Sequence, residues 1–476
     1  LVTMFESLSD SKYQRVCTIL VGVATLARFT GWNMVNFIVE SLVHSAHVRD
    51  PSSIIDHAGY YGQAVKEISG CLAAFIVPIV LNYMHPKWAL VIGSGLFAFY
   101  IGCFFFINNF LYFFASALLG FANTLCYTAF FTYQMQYSTR QTLAKNTALV
   151  WSIANCCLLV GGSLYIFVTS RHAVPLDAST PVSEQYRYYS EDETRLMCGF
   201  LFASCAVSII LHAAYPSKEV ENSVVSENPH EKLTLKRQVG AIASVLINPR
   251  ILMFIPRFLN HGLFLSFYLN VYPTTLQYST ILARAHPMLT AYYAFSMCAG
   301  TTVCGLIIAP LNRRFHDFGL RPLYYITIGV QLLTYLIATL TVPNWSTARP
   351  TDEDAFIEPS VLWVCVVAFL LGFADSTNTA SNTVICTRLI HGRASHTFSA
   401  ARFYIGFTAS VIFFCSPWLT MRCHAFILAL TTIVSAISFN FAVKKVEKRE
   451  FLREETMRTD KIHVIGAENK AETAFE

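Results

Sequence analysis

The sequence predicts an all-α polytopic membrane protein, with twelve transmembrane helices in two six-helix bundles. Three observations carry that expectation. Hydrophobic residues make up 54% of the 476 residues and charged residues only 13%, whereas a soluble domain carries about 25% charge. Apolar runs longer than about 18 residues, the length that crosses a bilayer, recur along the chain. One polar gap, residues 215–250, lies near the midpoint and has six such runs on each side.

Taken in order, the first six spans fall at about 15–39, 58–83, 88–107, 110–134, 147–169 and 195–214. The second six fall at about 250–272, 288–311, 322–342, 360–386, 396–419 and 423–443. The chain therefore divides into a first bundle (1–214), a linker (215–249), a second bundle (250–443) and a tail (444–476). The residues before the first run lack the apolar stretch and small-residue cleavage site of a signal peptide. In the linker, Leu235, Val239, Ile242, Val245 and Leu246 recur at helical spacing beside Lys232, Lys236 and Arg237. That pattern fits either a short helix lying on the membrane surface or an extension of the seventh span. The Ser-, Glu- and Asn-rich stretch before it reads as flexible.

Twelve spans place both ends on one side, and Lys and Arg decide which. The face holding the termini carries 23 of them and the opposite face 7 (Arg49, Arg171, Arg187, Arg195, Arg284, Arg349 and Arg422). The positive-inside rule then makes the termini and the linker cytoplasmic. The opposite loops lean acidic, as at Glu191–Glu193 and Asp352–Asp354, and contain one glycosylation sequon, Asn344-Trp345-Ser346. The net charge of +5 is the basic fringe of a membrane protein and implies no nucleic-acid partner. The run from Lys444 to Arg453 can touch anionic membrane lipids or serve only as a stop signal after the last span. Of the fourteen cysteines, most fall inside apolar runs and read as packing residues; only Cys198 and Cys423 are placed for a disulfide.

Charges inside the spans are the most informative feature. A charge near the bilayer centre costs at least about 2.5–3.5 kcal/mol and needs a partner, a cavity or the interface. Arg28, Lys66, Glu67, Arg257, Asp375 and Arg402 lie inside spans one, two, seven, ten and eleven, with Glu40 at a span end. Spans three, six, nine and twelve have none in their apolar cores. At about 1.5 Å rise per residue, Arg257, Asp375 and Arg402 share the inner half of the second bundle, so Asp375 is expected to pair with Arg402 or Arg257. Arg28 comes within reach of Glu67 by the same reckoning. Asn378, three residues from Asp375, shares its helical face. Asn33 and Asn36 form a weaker polar stripe in span one. These residues line a solute or ion pathway, or they lock helices together as ion pairs. His44, His47 and His57 cluster in the first outer loop without carboxylates at ligand spacing. No nucleophile motif, phosphate-binding loop or His-Glu-x-x-His occurs, so neither an enzyme nor a bound cofactor or metal is expected.

Two six-span halves joined by such a gap resemble the major facilitator fold, in which spans three, six, nine and twelve are peripheral. The motif of that fold between spans two and three is reduced here to Asn82-Tyr83-Met84-His85-Pro86-Lys87, while its counterpart over 312–321 keeps more. A narrower resemblance rests on Gly59-Tyr60-Tyr61-Gly62-Gln63-Ala64, Pro86-Lys87-Trp88, Ser138-Thr139-Arg140-Gln141-Thr142, Asn36–Ser41 and Gly372-x-x-Asp375-Ser-x-x-Asn378-Thr379. These look like the uncoordinated-ninety-three-like family of ion channel regulatory proteins. At the end of span four, where relatives have a Gly-rich, Gln-containing stretch, this chain has Ala129-Phe130-Phe131-Thr132-Tyr133. The resemblance implies a regulator of a potassium channel complex at the cell surface. Secondary transport of a small solute and escort of membrane receptors are the alternatives.

Overall fold

Eleven helices among the described residues are long and apolar enough to cross a membrane. The computed structural model describes residues 8–139, 141–172, 186–218, 220, 223–224, 235–315, 321–390 and 394–445. The first helix, α1 (Asp10–Arg49), begins with Asp10 in its first turn and ends on His47 and Arg49, charges that complement the helix dipole. Next is α2 (Ala58–Tyr83), entered through His57 with a left-handed φ of 55°. α3 (Pro86–Gly102) opens on a proline, whose missing N–H is harmless in a first turn. α4 (Asn109–Tyr137) is capped by Asn108, which accepts the Leu111 N–H at 2.9 Å. The fifth span is two helices, α5 (Leu143–Asn155) and α6 (Cys157–His172). In α7 (Glu191–Ala213), Ser190 accepts the Glu193 N–H at 3.2 Å and three acids fill the first turn.

The seventh span departs from expectation. It is not one helix over 250–272: after the linker helix α8 (Leu235–Leu246) comes a series of α9 (Pro249–Leu252), α10 (Ile255–Ser266), a π-turn Phe267–Val271, α11 (Tyr272–Tyr278) and α12 (Thr280–Ala285). The π-turn is set by Pro273. It has no N–H to give, and its ring crowds the carbonyl four residues back. The ladder shifts, and the Tyr272 N–H reaches five residues back to the Phe267 carbonyl. The remaining spans are continuous: α13 (Leu289–Arg314), α14 (Arg321–Thr341), α15 (Val361–Leu389), α16 (Ala394–Cys415) and α17 (Met421–Lys445).

Each half contains close helix crossings built on glycine. α2 and α4 meet at Gly70 and Gly120, where a Cβ on Gly120 would strike the Lys66 carbonyl oxygen. α13 and α15 meet at Gly300 and Gly372, where added Cβ atoms would strike the carbonyls of Phe369 and Met297. Small residues let backbones approach where lipid supplies no hydrophobic drive. The halves join through α2 on α16, α6 on α13, and α1 against the π-turn and α11. Large apolar side chains such as Ile210, Leu362, Phe426 and Phe441 point outward, as residues facing lipid do.

The linker helix α8 is separate from α10, with a turn at Asn248, whose side chain accepts the Arg250 N–H at 2.9 Å. Its Ile242 and Val245 are buried and its Lys236 and Arg237 exposed. It packs on α16 and α2, and the Tyr404 hydroxyl donates to the Leu246 carbonyl at 3.0 Å. All fourteen cysteines are free and ten are buried, so packing is the role of the buried ten and Cys198 is not bonded to Cys423. The flexible stretch expected before α8, the centre of the 312–321 motif and the tail beyond 445 lie outside the described residues.

Candidate functional site between the bundles

Span two places Lys66 and Glu67 against the seam with α16. Both are buried, and Lys66 Nζ lies 2.9 Å from Glu67 Oε1 and 2.5 Å from Gln63 Oε1. The ammonium also faces the rings of Trp32 and Phe413 at 5.8 and 5.9 Å. Glu67 reaches the other bundle: a Cβ on Gly406 of α16 would sit 3.5 Å from its Oε2. Gln63 continues the chain of polar contacts, donating to Asn36 Oδ1 at 2.9 Å, and the Asn36 carbonyl accepts from Asn270 Nδ2 at 3.0 Å.

Arg402 lies 5.8 Å over the ring of Tyr127, across the seam, and is half-buried. It is within electrostatic range of Glu67 and Lys66 but makes no ion pair with them. Asp375 is also half-buried and faces the Tyr268 hydroxyl. The expected pairs Asp375–Arg402, Asp375–Arg257 and Arg28–Glu67 do not form; among the described residues none has atoms within 4.0 Å. Instead Arg257 donates to the Asn378 carbonyl at 2.9 Å and lies under the Tyr324 ring at 4.7 Å. Arg28 sits 5.2 and 5.3 Å from the rings of Phe29 and Phe97, turned away from the seam. Phe29, Trp32, Tyr127 and Trp151 form one aromatic cluster. The seam thus holds a cation and a carboxylate that do not neutralise each other, beside an aromatic wall.

The face opposite the linker is closed by bonds between the halves. The Tyr60 hydroxyl donates to the Thr347 carbonyl at 2.7 Å, Gln277 Nε2 to the Phe37 carbonyl at 2.7 Å, and the Arg187 N–H to the Gln277 carbonyl at 2.8 Å. Phe37 meets Tyr293 edge-on at 5.0 Å. Arg187 is held by Glu193, with Thr169 and Tyr189 around it. The entry to α2 is pinned by Glu40, which accepts the Tyr60 N–H at 2.8 Å and bonds His57 Nδ1 at 3.0 Å. Gly59 is required there, since any Cβ would collide with Glu40. Burial would lower the His57 pKa, but the Glu40 bond and the Glu40 and Asp56 charges raise it. Asp56 is pushed up by burial yet held well below the usual carboxylate range by the His44 bond and both histidine charges. Of this seal, the sequence singles out the Asn36–Ser41 and Gly59–Ala64 segments and the outer histidines, but not Asn270, Gln277, Thr347 or Arg187 as partners. Asn270 and Gln277 are polar residues flanking Pro273, and that is the signal that could have found them.

The sequon residue Asn344 is half-buried, its Oδ1 accepting the Arg422 N–H at 3.1 Å, and Ser346 is fully buried.

A family model described as ion channel regulatory protein UNC-93 matches residues 50–440. UNC93-like protein MFSD11 from Xenopus laevis and from Xenopus tropicalis are each 20% identical over 438 residues, covering 89% of this chain and 94% of theirs. Among solved structures, the nucleoside transporter NupG aligns with a TM-score of 0.59 at 14% identity, over 90% of this chain and 99% of its own. A POT family transporter in complex with 5-aminolevulinic acid aligns with a TM-score of 0.62 at 11% identity, over 91% and 96%. These transporter likenesses establish the twelve-span major-facilitator fold, and the match along most of the sequence establishes that the chain belongs to the UNC-93 family.

Proposed function

We propose that this protein is a non-enzymatic regulatory subunit of a potassium channel complex in the plasma membrane. Its two bundles (1–214 and 250–443) would be joined by a cytoplasmic linker (215–249), with both termini cytoplasmic. The observation that carries this reading is the match of residues 50–440 to a family described as ion channel regulatory proteins. The bonded seal opposite the linker suits it, because a regulator acts through its outer surfaces and tolerates a closed cleft. Co-expression with a two-pore potassium channel tests it: current or channel surface abundance is expected to change, and no change in either removes the reading for that channel. A mobility shift under endoglycosidase that Asn344→Gln abolishes would mark the extracellular face.

A second reading, transport of a small solute, is favoured by one observation. Asp375 and Arg402 face the seam half-buried and unneutralised, an expensive arrangement that a ligand bearing charge would relieve. Uptake of solute into liposomes by the purified protein, lost on Arg402→Gln, would support it; Arg28 lies off the seam and its replacement is not expected to alter uptake directly.

A further inference from the structure

Among the described residues no carboxylate pairs with the buried charge of Arg257. Its side chain is fully buried; Nη2 is spent on the Asn378 carbonyl, and Nε and Nη1 have no acceptor. The Tyr324 ring covers one face of the guanidinium at 4.7 Å, which attracts the charge but satisfies no N–H. A buried charge is normally paired, and a buried N–H normally bonded. Asn378, whose carbonyl it meets, and Ser381, one turn further along α15, share the deficit. Asn378 and Ser381 lie three apart on one buried face of α15, both at 0% exposure. The Asn378 amide has neither of its atoms bonded, and the Ser381 hydroxyl has no partner. Three nitrogens that can only donate (Nε, Nη1 and Nδ2) and one hydroxyl that can donate or accept (Oγ) therefore stand against a single acceptor-only atom, Asn378 Oδ1.

We propose that Arg257, Asn378 and Ser381 hold a small inorganic monovalent anion, of the size of chloride, inside the second bundle. The sign follows from the excess of donors around a buried cation. The size follows from the zero exposure of all three residues, which excludes an anion that carries a larger body. Arg28 is not included: it also has Nε and Nη1 free, but two rings cover it and the Cys126 thiol lies beside it. The inference stands whether the protein regulates a channel or moves a solute.

The test uses the purified full-length chain in detergent. Its thermal midpoint is followed while gluconate is exchanged for chloride or bromide at constant ionic strength. A ligand that binds only the folded state raises the midpoint along a saturating curve, and that is the expected result. Ser381→Ala shifts the curve to about tenfold higher halide, as loss of one bond to an ion should. Arg257→Gln abolishes the response. A midpoint equal in gluconate and halide overturns the proposal, as does an unchanged halide curve in Ser381→Ala. Should Arg257→Gln fail to fold, the wild-type and Ser381→Ala curves alone decide it.

Discussion

Replacing Glu67 with Gln should destabilise the seam more than replacing its partner Lys66 with Met, and the asymmetry tests how the charges are arranged. At the observed 2.9 Å, Coulomb's law with an effective dielectric near 20 gives about 6 kcal/mol of gross attraction. Desolvation offsets much of this, and stranding one member of a buried pair costs about 3–5 kcal/mol net. Glu67→Gln strands Lys66 and leaves Arg402 without the only carboxylate among those acting on that pair. Lys66→Met instead leaves Glu67 with Arg402 nearby, so its cost is about 1–3 kcal/mol, that of a lost charged hydrogen bond. The double replacement removes the pair and should recover most of the Glu67→Gln loss. A membrane protein of this size does not unfold as a two-state system, so the assay is the rank order of midpoints for thermal loss of monodisperse protein. The expected order is wild type, double variant, Lys66→Met, Glu67→Gln. A Glu67→Gln midpoint equal to that of wild type, or a Lys66→Met midpoint below that of Glu67→Gln, refutes the reasoning.

Three further outcomes follow from the geometry. Gly120→Ala and Gly372→Ala should each lower the midpoint, by an overpacking cost of about 1–3 kcal/mol, because their Cβ atoms meet backbone carbonyls; Gly95→Ala, with open space around it, should be neutral or slightly stabilising. The raised His57 pKa makes its contribution complete below its ordinary value of 6.5 and lost as pH rises through the raised value. The lowered Asp56 pKa makes its contribution complete above 3.8 and lost only as pH falls through the lowered value. The midpoint should therefore decline from pH 6.5 to 8 in the wild type and stay flat in His57→Gln. Tyr60→Phe removes the bond to Thr347 and should cost about 0.5–1.5 kcal/mol, read as a broader distance distribution between spin labels at the exposed Ile55 and Phe356.

The spans, the two halves and the set of charged helices were legible because each follows from apolar length or from the cost of a buried charge. The partners were not. Rise per residue gives the height of Arg28 and Glu67 but not their azimuth, and Arg28 points to Phe97 rather than the seam. Lys66 and Glu67 are adjacent in sequence, a spacing that does not put side chains face to face on a helix; only Gln63, the rings and the α16 seam fold the two side chains together. The seal was hidden for another reason. Pro273 interrupts the apolar run, so Gln277 falls beyond the expected end of span seven. The fold turns that polar segment inward because the carbonyls of Asn36 and Phe37 accept from it.

The interrupted seventh span also bears on how the chain enters the membrane during synthesis. Arg257, Asn260, His261, Asn270 and Gln277 all lie in it, and each penalises partition into hydrocarbon. Such a segment is poorly retained by lipid alone. Its polar groups are met by chain made earlier, the α1 carbonyls of Asn36 and Phe37, and by chain made later, Gln331 and Thr432 around Asn260. The seventh span is thus expected to be held firmly only once both neighbours exist, so a chain ending at residue 285 should expose it to extraction more readily than the full chain.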